Sequence, residues 1–202
     1  STSEGEEADA RRLESLSRTI QRMDVRCVKK VKSVSIAGDL QRTALDSHAD
    51  TSCAGSNMAV LELAGEKVNV TPFSEHYSAV TDVPIATVAT VWEDPRNGEL
   101  WLLVIHEALF FGSKLTDSLL CPNQLRAAGI TVQDTPKQFD ASSSHSISFP
   151  GKKLEIPLQM HGVISYLDTR LPTEEEIEQY RAGHFQSLEL TEDIPWEPYL
   201  DS

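Results

Sequence analysis

The residues best suited to chemistry lie in one short stretch, residues 43–56, which has the sequence TALDSHADTSCAGS. A short apolar lead-in ends in the carboxylate of Asp46, and a run of small and polar residues follows. A catalytic loop at the end of a strand has this pattern, because the strand fixes the acid and small side chains let another backbone approach closely. Asp46 is therefore the leading candidate for a catalytic carboxylate.

The residues of this loop also allow other interpretations. An Asp-Ser pair after a strand is also common as a turn or a helix cap. A metal site would use the four potential ligands of the loop, which are Asp46, His48, Asp50 and Cys53. Their spacing is that of a loop, and the other histidines are scattered, which disfavours metal binding. A Ser-His-Asp triad within the loop is disfavoured because triad residues are neighbours in space, and no Gly-x-Ser-x-Gly turn is present.

Composition limits the classes of function. The chain has 202 residues and a net charge of −13, which disfavours a nucleic-acid partner bound through its phosphates. The first ten residues contain four acids and no base, and residues 169–202 contain nine acids and two arginines. Acidic ends are typical of solvated flanks, so the sequence predicts one compact domain between two arms.

Cysteine content and hydropathy indicate the compartment. Three cysteines, Cys27, Cys53 and Cys121, are too few and too scattered for a disulfide framework, which favours a reducing intracellular compartment. As nucleophiles, Cys53 and Cys121 lack a nearby oriented base, so packing is the simpler role. The longest apolar runs are shorter than a membrane span. The polar, acidic start is unlike a signal peptide, and a chain beginning at serine suggests a fragment or a processed product.

Hydrophobic periodicity predicts mostly strands. We predict strands over residues 41–45, 58–63, 68–70, 85–92, 99–111, 118–120, 130–132, 146–149, 153–158 and 161–166. Residues 64–67 are predicted as a turn and residues 71–84 as a loop or lid. Asn97-Gly98 predicts a tight hairpin turn, with Trp92 and Trp101 as a cross-strand pair. The long strand 99–111 is expected to break at residues 106–107.

Three helices are predicted. Leu13, Leu16, Ile20 and Met23 recur at three- and four-residue spacing, which predicts an amphipathic helix over residues 6–23. A short helix over residues 123–128 follows Pro122, a residue suited to the first helical position. An acidic helix over residues 173–180 begins with a capping box.

The motif around Asp46 resembles a known family. Asp46-Ser47-x-Ala49-Asp50-Thr51 resembles the active-site motif of retropepsins, the aspartic proteases of retroviruses and retrotransposons. Residues 118–125, with the sequence SLLCPNQL, resemble the second family motif, which in copia-type retrotransposon proteases tends to be Leu-Leu-Ser-x-x-x-Leu. The likeness covers about residues 25–135, and residues 68–91 would form the flap hairpin, with its tip within residues 71–84.

The resemblance implies an all-β, retropepsin-like acid protease fold with one short helix after the second motif. It divides the chain into an N-terminal helical arm (1–24), a protease domain (25–166) and an acidic C-terminal spacer (167–202). Within the motif, Asp46 and Ser47 would be the catalytic residues, with Ser47 bonding across a dimer. The substrate-binding residues would be His48, Ala49, Asp50 and Thr51.

The implied function is endopeptidase cleavage of a retrotransposon polyprotein. An aspartic protease needs two carboxylates that share a proton, and the chain contains this motif once, so the active site would form between two identical subunits. The implied partners are a polypeptide substrate and a second copy of the chain, with no cofactor, no metal, no nucleic acid and no membrane. The implied location is the cytoplasm, including virus-like particles.

The sequence departs from the family at His48, where the family has glycine. His48 could be accommodated and shift the working pH by pairing with Asp46 or Asp50. Alternatively it could occlude the cleft, which would leave a retropepsin-like dimerisation or binding module without turnover. In a third alternative, the two arms fold back and keep the domain as an inactive monomer.

Overall fold

The computed structural model describes residues 40–47, 49–70 and 80–198, which form twelve strands and two short helices. The elements are β1 (Gln41–Leu45), β2 (Cys53–Gly55), β3 (Ala59–Val70), β4 (Val80–Glu93), β5 (Leu100–Gly112), β6 (Ser118–Leu120), α1 (Pro122–Ala127), β7 (Thr131–Gln133), β8 (Ser146–Ser148), β9 (Glu155–Pro157), β10 (Gln159–His161), β11 (Ile164–Thr169), α2 (Glu174–Arg181) and β12 (Ser187–Glu189). The prediction of a mostly β-sheet fold is confirmed. The predicted N-terminal helix lies outside the described residues, as does His48.

Nine strands form the main sheet. Eight of them lie in the order β10-β11-β1-β6-β2-β5-β4-β3, and β12 pairs with β5 beside this path. Strands β4 and β5 are the longest. Where they pair with each other, the side chains on both faces of the sheet are mostly buried. Strands covered on both faces are apolar almost throughout, which explains the nearly continuous Val, Ile and Leu content here. Within the described residues, no helix has the length and apolar character needed to cross a membrane.

The β4–β5 hairpin has the predicted turn. Gly98 adopts a φ of +74°, and its N–H donates to the Asp94 carbonyl at 2.8 Å. Glycine is favoured there because a side chain strains a left-handed backbone. Trp92 and Trp101 are direct cross-strand partners, as predicted.

The predicted break in β5 is a β-bulge. His106 and Glu107 together oppose the single residue Thr87 of β4, since the pairing jumps from Val88–Ile105 to Ala86–Ala108. Glu107 takes a φ of +54° at this point. Bulges bend a strand and interrupt its ladder. The His106 N–H and the carbonyls of His106 and Glu107 bond side chains outside the hairpin.

The predicted turn at residues 64–67 is wrong. Strand β3 continues from Ala59 to Val70. Leu63 and Lys67 are four residues apart, whereas their partners in β4, Ala86 and Pro84, are only two residues apart. Gly65, with φ +83°, lies within this irregularity. The glycine therefore marks a bulge, because the long partner strand holds both sides of it in one ladder. Of the predicted loop 71–84, residues 80–84 belong to β4 and residues 71–79 are not described.

The second sheet packs against the first. The predicted hairpin of residues 146–149 and 153–158 is confirmed as β8 paired with β9, and β7 completes the sheet. Ile147 and Ile156 are fully buried in one cluster with Leu103, Ile105 and Leu125. The predicted single strand 161–166 is wrong, because a turn at Gly162 (φ +61°) separates β10 from β11.

Helix α2 has the predicted capping box. The Thr173 hydroxyl accepts from the Glu176 N–H at 3.2 Å, and the Glu176 carboxylate accepts from the Thr173 N–H at 2.9 Å. Arg170 also binds this carboxylate with two N–H groups at 2.7 and 2.8 Å. The arginine bonds, followed by the bond from the Thr173 N–H, lower the pKa of Glu176 from 4.5 to about 2.

This pair predicts a pH dependence of folding. The Glu176 side chain is only 12% exposed, so the lowered pKa stabilises the fold fully above pH 4.5. That stabilisation is lost as the pH falls from 4.5 towards 2, and it amounts to roughly 2–3 kcal/mol. Denaturant unfolding of Glu176→Gln should show a flatter decline over this range than the wild type. Glu174→Gln, at an exposed neighbour, is the control, and equal slopes for both variants would contradict the assignment.

Candidate active site

Asp46 lies immediately after β1, where two connections fix its backbone. Its N–H donates to the Leu120 carbonyl at 3.2 Å, and its carbonyl accepts from the Ala49 N–H at 3.0 Å. Asp46 is only 5% exposed, whereas the neighbouring Ser47 is exposed. The strand and the turn therefore hold the carboxyl-bearing residue in one place, as a catalytic acid requires.

Strand β6 lies between the two strands that the Asp46 loop connects. It pairs parallel with β1, where Leu45 is opposite Leu120, and antiparallel with β2, where Cys53 is opposite Leu119. Leu119 and Leu120 are each 1% exposed. The apolar pair of the second sequence motif thus supports the loop from beneath, the position that the resemblance implies for it.

The N-terminal turn of α1 binds the same loop. Cys121 is the N-cap of the helix and its N–H donates to the Ser52 hydroxyl at 3.0 Å. The Cys121 thiol donates to the Ala49 carbonyl at 2.9 Å and accepts from the Gln124 N–H at 3.4 Å. The predicted helix 123–128 is confirmed within one residue, and its first turn is a second support for the loop.

The two buried cysteines are poor nucleophiles. Burial raises the pKa of Cys121 to about 11, because it outweighs the opposing helix N–H groups and is assisted by the nearby Asp50 and Asp46 carboxylates. Burial, followed by the Asp50 carboxylate, also raises the pKa of Cys53 well above its usual range. Because the thiolate is the reactive form, both thiols are inert near neutral pH. Cys121 instead acts as a hydrogen-bond donor.

Gln124 joins the loop to the β5 bulge. Its side-chain oxygen accepts from the Ser52 N–H at 3.0 Å. Its amide nitrogen donates to the carbonyls of His106 and Glu107, at 3.4 and 3.2 Å. Gln124 is 3% exposed, so these are buried bonds that water would not replace if the side chain were lost.

The remaining residues of the motif lie at different depths. Ala49 and Thr51 are buried and Asp50 is half-buried. The Asp50 carbonyl accepts from the indole N–H of Trp196 at 2.5 Å, which brings a residue near the end of the described chain to the loop. His48, which the sequence predicts to bind substrate, is outside the described residues.

A buried polar network holds the middle of β1. The Asn57 amide donates to the hydroxyls of Thr43 and Thr169 at 3.0 and 3.1 Å, and those hydroxyls bond each other at 2.9 Å. The Ser118 hydroxyl donates to the Asn57 oxygen and accepts from the Gly55 N–H at 2.8 Å. The four side chains are at most 1% exposed. Strands β1, β6 and β11 are thus cross-linked close to the Asp46 loop.

Gly55 permits a close approach of two backbones. A Cβ at this position would lie 2.6 Å from the Leu115 carbonyl oxygen and 2.8 Å from that of Asp117. Both oxygens belong to the connection between β5 and β6, so a side chain at position 55 would push that connection away from β2.

The close contact makes Gly55→Ala destabilising. Steric overlap with two backbone oxygens is expected to lower the free energy of unfolding by about 1–3 kcal/mol. Urea unfolding of the two purified proteins measures this directly. A change of less than about 0.5 kcal/mol would mean that the connection relaxes freely, contrary to the packing described above.

The proposed flap segment is a hairpin in the described residues. Strands β3 and β4 pair antiparallel from Ala59–Ala89 to Val70–Val80. The tip of this hairpin, residues 71–79, is outside the described residues. The hairpin joins the main sheet through β5, which also pairs with β2 after the Asp46 loop.

Other chemistries receive no support from the described residues. None of their His, Cys, Asp and Glu side chains form a group of three or more that could hold a metal ion. His106 bonds Thr87 and Glu189, and His145 bonds Ser165. The suggested triad of the loop would need His48, which is not described.

No protein-family model, curated protein or solved structure matches the chain. Function is therefore inferred from the residues of this chain. Three residues outside the predicted site contact the loop or its strands, namely Asn57, Gln124 and Trp196. Gln124 lies within the second sequence motif, so the motif could have indicated that it contacts the loop. The contact of Trp196 spans 146 residues and leaves no local pattern.

Proposed function

We propose that the chain is an aspartic endopeptidase of the retropepsin class that processes a retrotransposon polyprotein. The observation that carries the proposal is the support of Asp46. The residue follows β1, its N–H is bonded to Leu120, and the strand and helix of the second motif hold its loop. A pattern recognised in the sequence at two separate places thus corresponds to one contiguous structural unit.

The proposed active site forms from two copies of the chain. One Asp46 from each subunit would meet at a two-fold axis, and two carboxylates at short distance share one proton because both cannot be ionised together. The unprotonated carboxylate takes a proton from water, whose oxygen then attacks the peptide carbonyl carbon. The protonated carboxyl polarises the carbonyl, and a proton passes to the leaving amine as the C–N bond breaks.

Other residues of the loop have positioning and binding roles in this proposal. Ser47, exposed beside Asp46, would bond across the dimer axis, and Asp50 would bind the substrate backbone. Ala49 leaves space beside the carboxylates. The partners are a polypeptide and a second copy of the chain, in the cytoplasm or in virus-like particles. The net charge of −13 argues against a nucleic-acid partner.

The alternative is a retropepsin-like dimerisation or binding module without turnover. Two observations favour it, namely the histidine at position 48 in place of the family glycine and the 5% exposure of Asp46. A catalytic carboxylate must reach the substrate, so Asp46 would have to become accessible on dimer formation or substrate binding.

A peptide-cleavage assay across pH separates the two functions. The proteins to compare are the wild type, Asp46→Asn and His48→Gly, each at concentrations where light scattering detects a dimer. The protease proposal predicts cleavage by the wild type and none by Asp46→Asn. Cleavage by His48→Gly alone would favour occlusion of the cleft, and the absence of cleavage by all three dimers would favour the binding module.

A further inference from the structure

We propose that Trp196 is a positioning residue for the Asp46 loop, held in place by residues 187–196, here called the C-terminal strap. The inference rests on the proposed function for its catalytic meaning. It assigns to the acidic C-terminal residues a defined role in the folded unit, where the sequence predicted a spacer.

The strap begins as a strand of the main sheet. Strand β12 pairs parallel with β5 at Leu102–Val104, and the Leu190 N–H donates to the Val104 carbonyl at 2.8 Å. Leu188 and Leu190 are buried in the core, at 1% and 0% exposure. Burial of these two leucine side chains stabilises the short strand, which no tight turn joins to its partner β5.

Thr191 fastens the strap at the β5 bulge. Its hydroxyl accepts from the His106 N–H at 2.7 Å and donates to the His106 carbonyl at 2.9 Å. The carboxylates of Glu189 and Asp193 lie 3.2 and 3.6 Å from the two ring nitrogens of His106. One threonine hydroxyl thus bonds both the N–H and the carbonyl of His106.

Beyond this point the strap reaches the candidate active site. The indole N–H of Trp196 donates to the Asp50 carbonyl at 2.5 Å. Gln124 binds the next part of the same loop through the Ser52 N–H and also bonds the His106 carbonyl. The bulge is therefore the common anchor of two supports, Gln124 and the strap, which contact the loop at adjacent places.

Among the described residues, the strap alone covers this part of one edge of β5. Strand β4 occupies the other edge throughout, while β2 pairs only with Leu109, Phe110 and Gly112. Residues 102–106 would expose unpaired backbone groups without the strap. A segment that completes the central strand is built into the fold, so Trp196 is presented to the loop at a fixed position.

The test replaces the indole N–H and keeps an aromatic ring. Trp196→Phe is compared with Trp101→Phe, whose indole nitrogen is buried and has no hydrogen-bond partner in the described part of the chain. Amide hydrogen exchange is followed at Ala49 and Ser52, both bonded within the site, and at Leu158, whose N–H donates to the His145 carbonyl at 2.9 Å and contacts no strap residue through this bond. Peptide cleavage gives kcat and KM for the same full-length proteins.

Loss of one hydrogen bond predicts about fivefold to tenfold faster exchange at Ala49 and Ser52 in Trp196→Phe, with Leu158 unchanged. The expected kinetic effect is about a tenfold lower kcat with KM little changed. The loop would be misplaced for the chemical step, whereas the contacts that bind the substrate would remain. Trp101→Phe should leave exchange at Ala49 and Ser52 as in the wild type. Thr191→Val, which loosens the strap at its anchor, should reproduce the result of Trp196→Phe.

Unchanged exchange at both amides in Trp196→Phe and Thr191→Val would overturn the proposal. A higher kcat in Trp196→Phe would also overturn it, because the strap would then obstruct the site. Faster exchange in both variants, together with a wild-type dimer that cleaves no peptide, would support the strap contact and reject the proteolytic function alone.

Discussion

Replacing Asp46 with asparagine is expected to lower kcat/KM for peptide cleavage by at least about 1,000-fold. The amide has nearly the shape of the carboxyl group but cannot take a proton from water or give one to the leaving amine. The variant is expected to be folded and dimeric, which circular dichroism and light scattering check, and inactive.

Asp140→Asn is the matched control for this loss. Asp140 is exposed in the connection between β7 and β8, where its carboxylate accepts from Ser142, a role that asparagine can also fill. Its cleavage rate is expected to equal that of the wild type. Asp46→Asn retaining more than about a tenth of wild-type activity would exclude Asp46 as the acid–base residue.

The largest expected effect on stability is that of Asn57→Leu. Leucine has a similar size but cannot donate to Thr43 and Thr169 or accept from Ser118, all of which are buried. Lost bonds and newly unpaired buried groups predict a decrease of about 3–4 kcal/mol in the free energy of unfolding. Urea denaturation followed by circular dichroism measures this decrease.

Asn123→Leu, at an exposed position of α1, is the comparison and should change stability by less than about 1 kcal/mol. A double-mutant cycle with Ser118→Ala tests whether the network acts as a unit. The two losses should be less than additive, because Ser118→Ala removes the hydroxyl that Asn57→Leu leaves unpaired. Additive losses, or a loss below about 1 kcal/mol for Asn57→Leu, would contradict the network.

Features with a local cause were predictable from the sequence. Asn97-Gly98 requires a tight turn, Thr173 and Glu176 cap each other three residues apart, and Pro122 can begin a helix. The position of Asp46 at the end of a strand was predictable because a short apolar run precedes it and small residues follow. In each case the physical determinant lies within a few residues of the feature.

Features that depend on distant residues were not predictable. Gly65 resembled a turn residue, but the length of β4 decides that the chain continues as one strand through a bulge. Strand β12 has only three residues, and its partner Leu102–Val104 lies 85 positions earlier. Gln124 and Trp196 contact backbone groups of the site, and Asn57 contacts the side chains of distant strands, so only the folded sheet reveals these partners. Their side-chain types alone are compatible with many other positions.

In the proposed function, the active site needs one Asp46 from each of two subunits. Wild-type protein and Asp46→Asn are mixed in equal amounts at fixed total concentration, allowed to exchange subunits, and assayed for cleavage. A shared site leaves about a quarter of the wild-type activity, because mixed dimers lack one of the two carboxylates. A residual activity of about half would show that each subunit works alone and would contradict the claim.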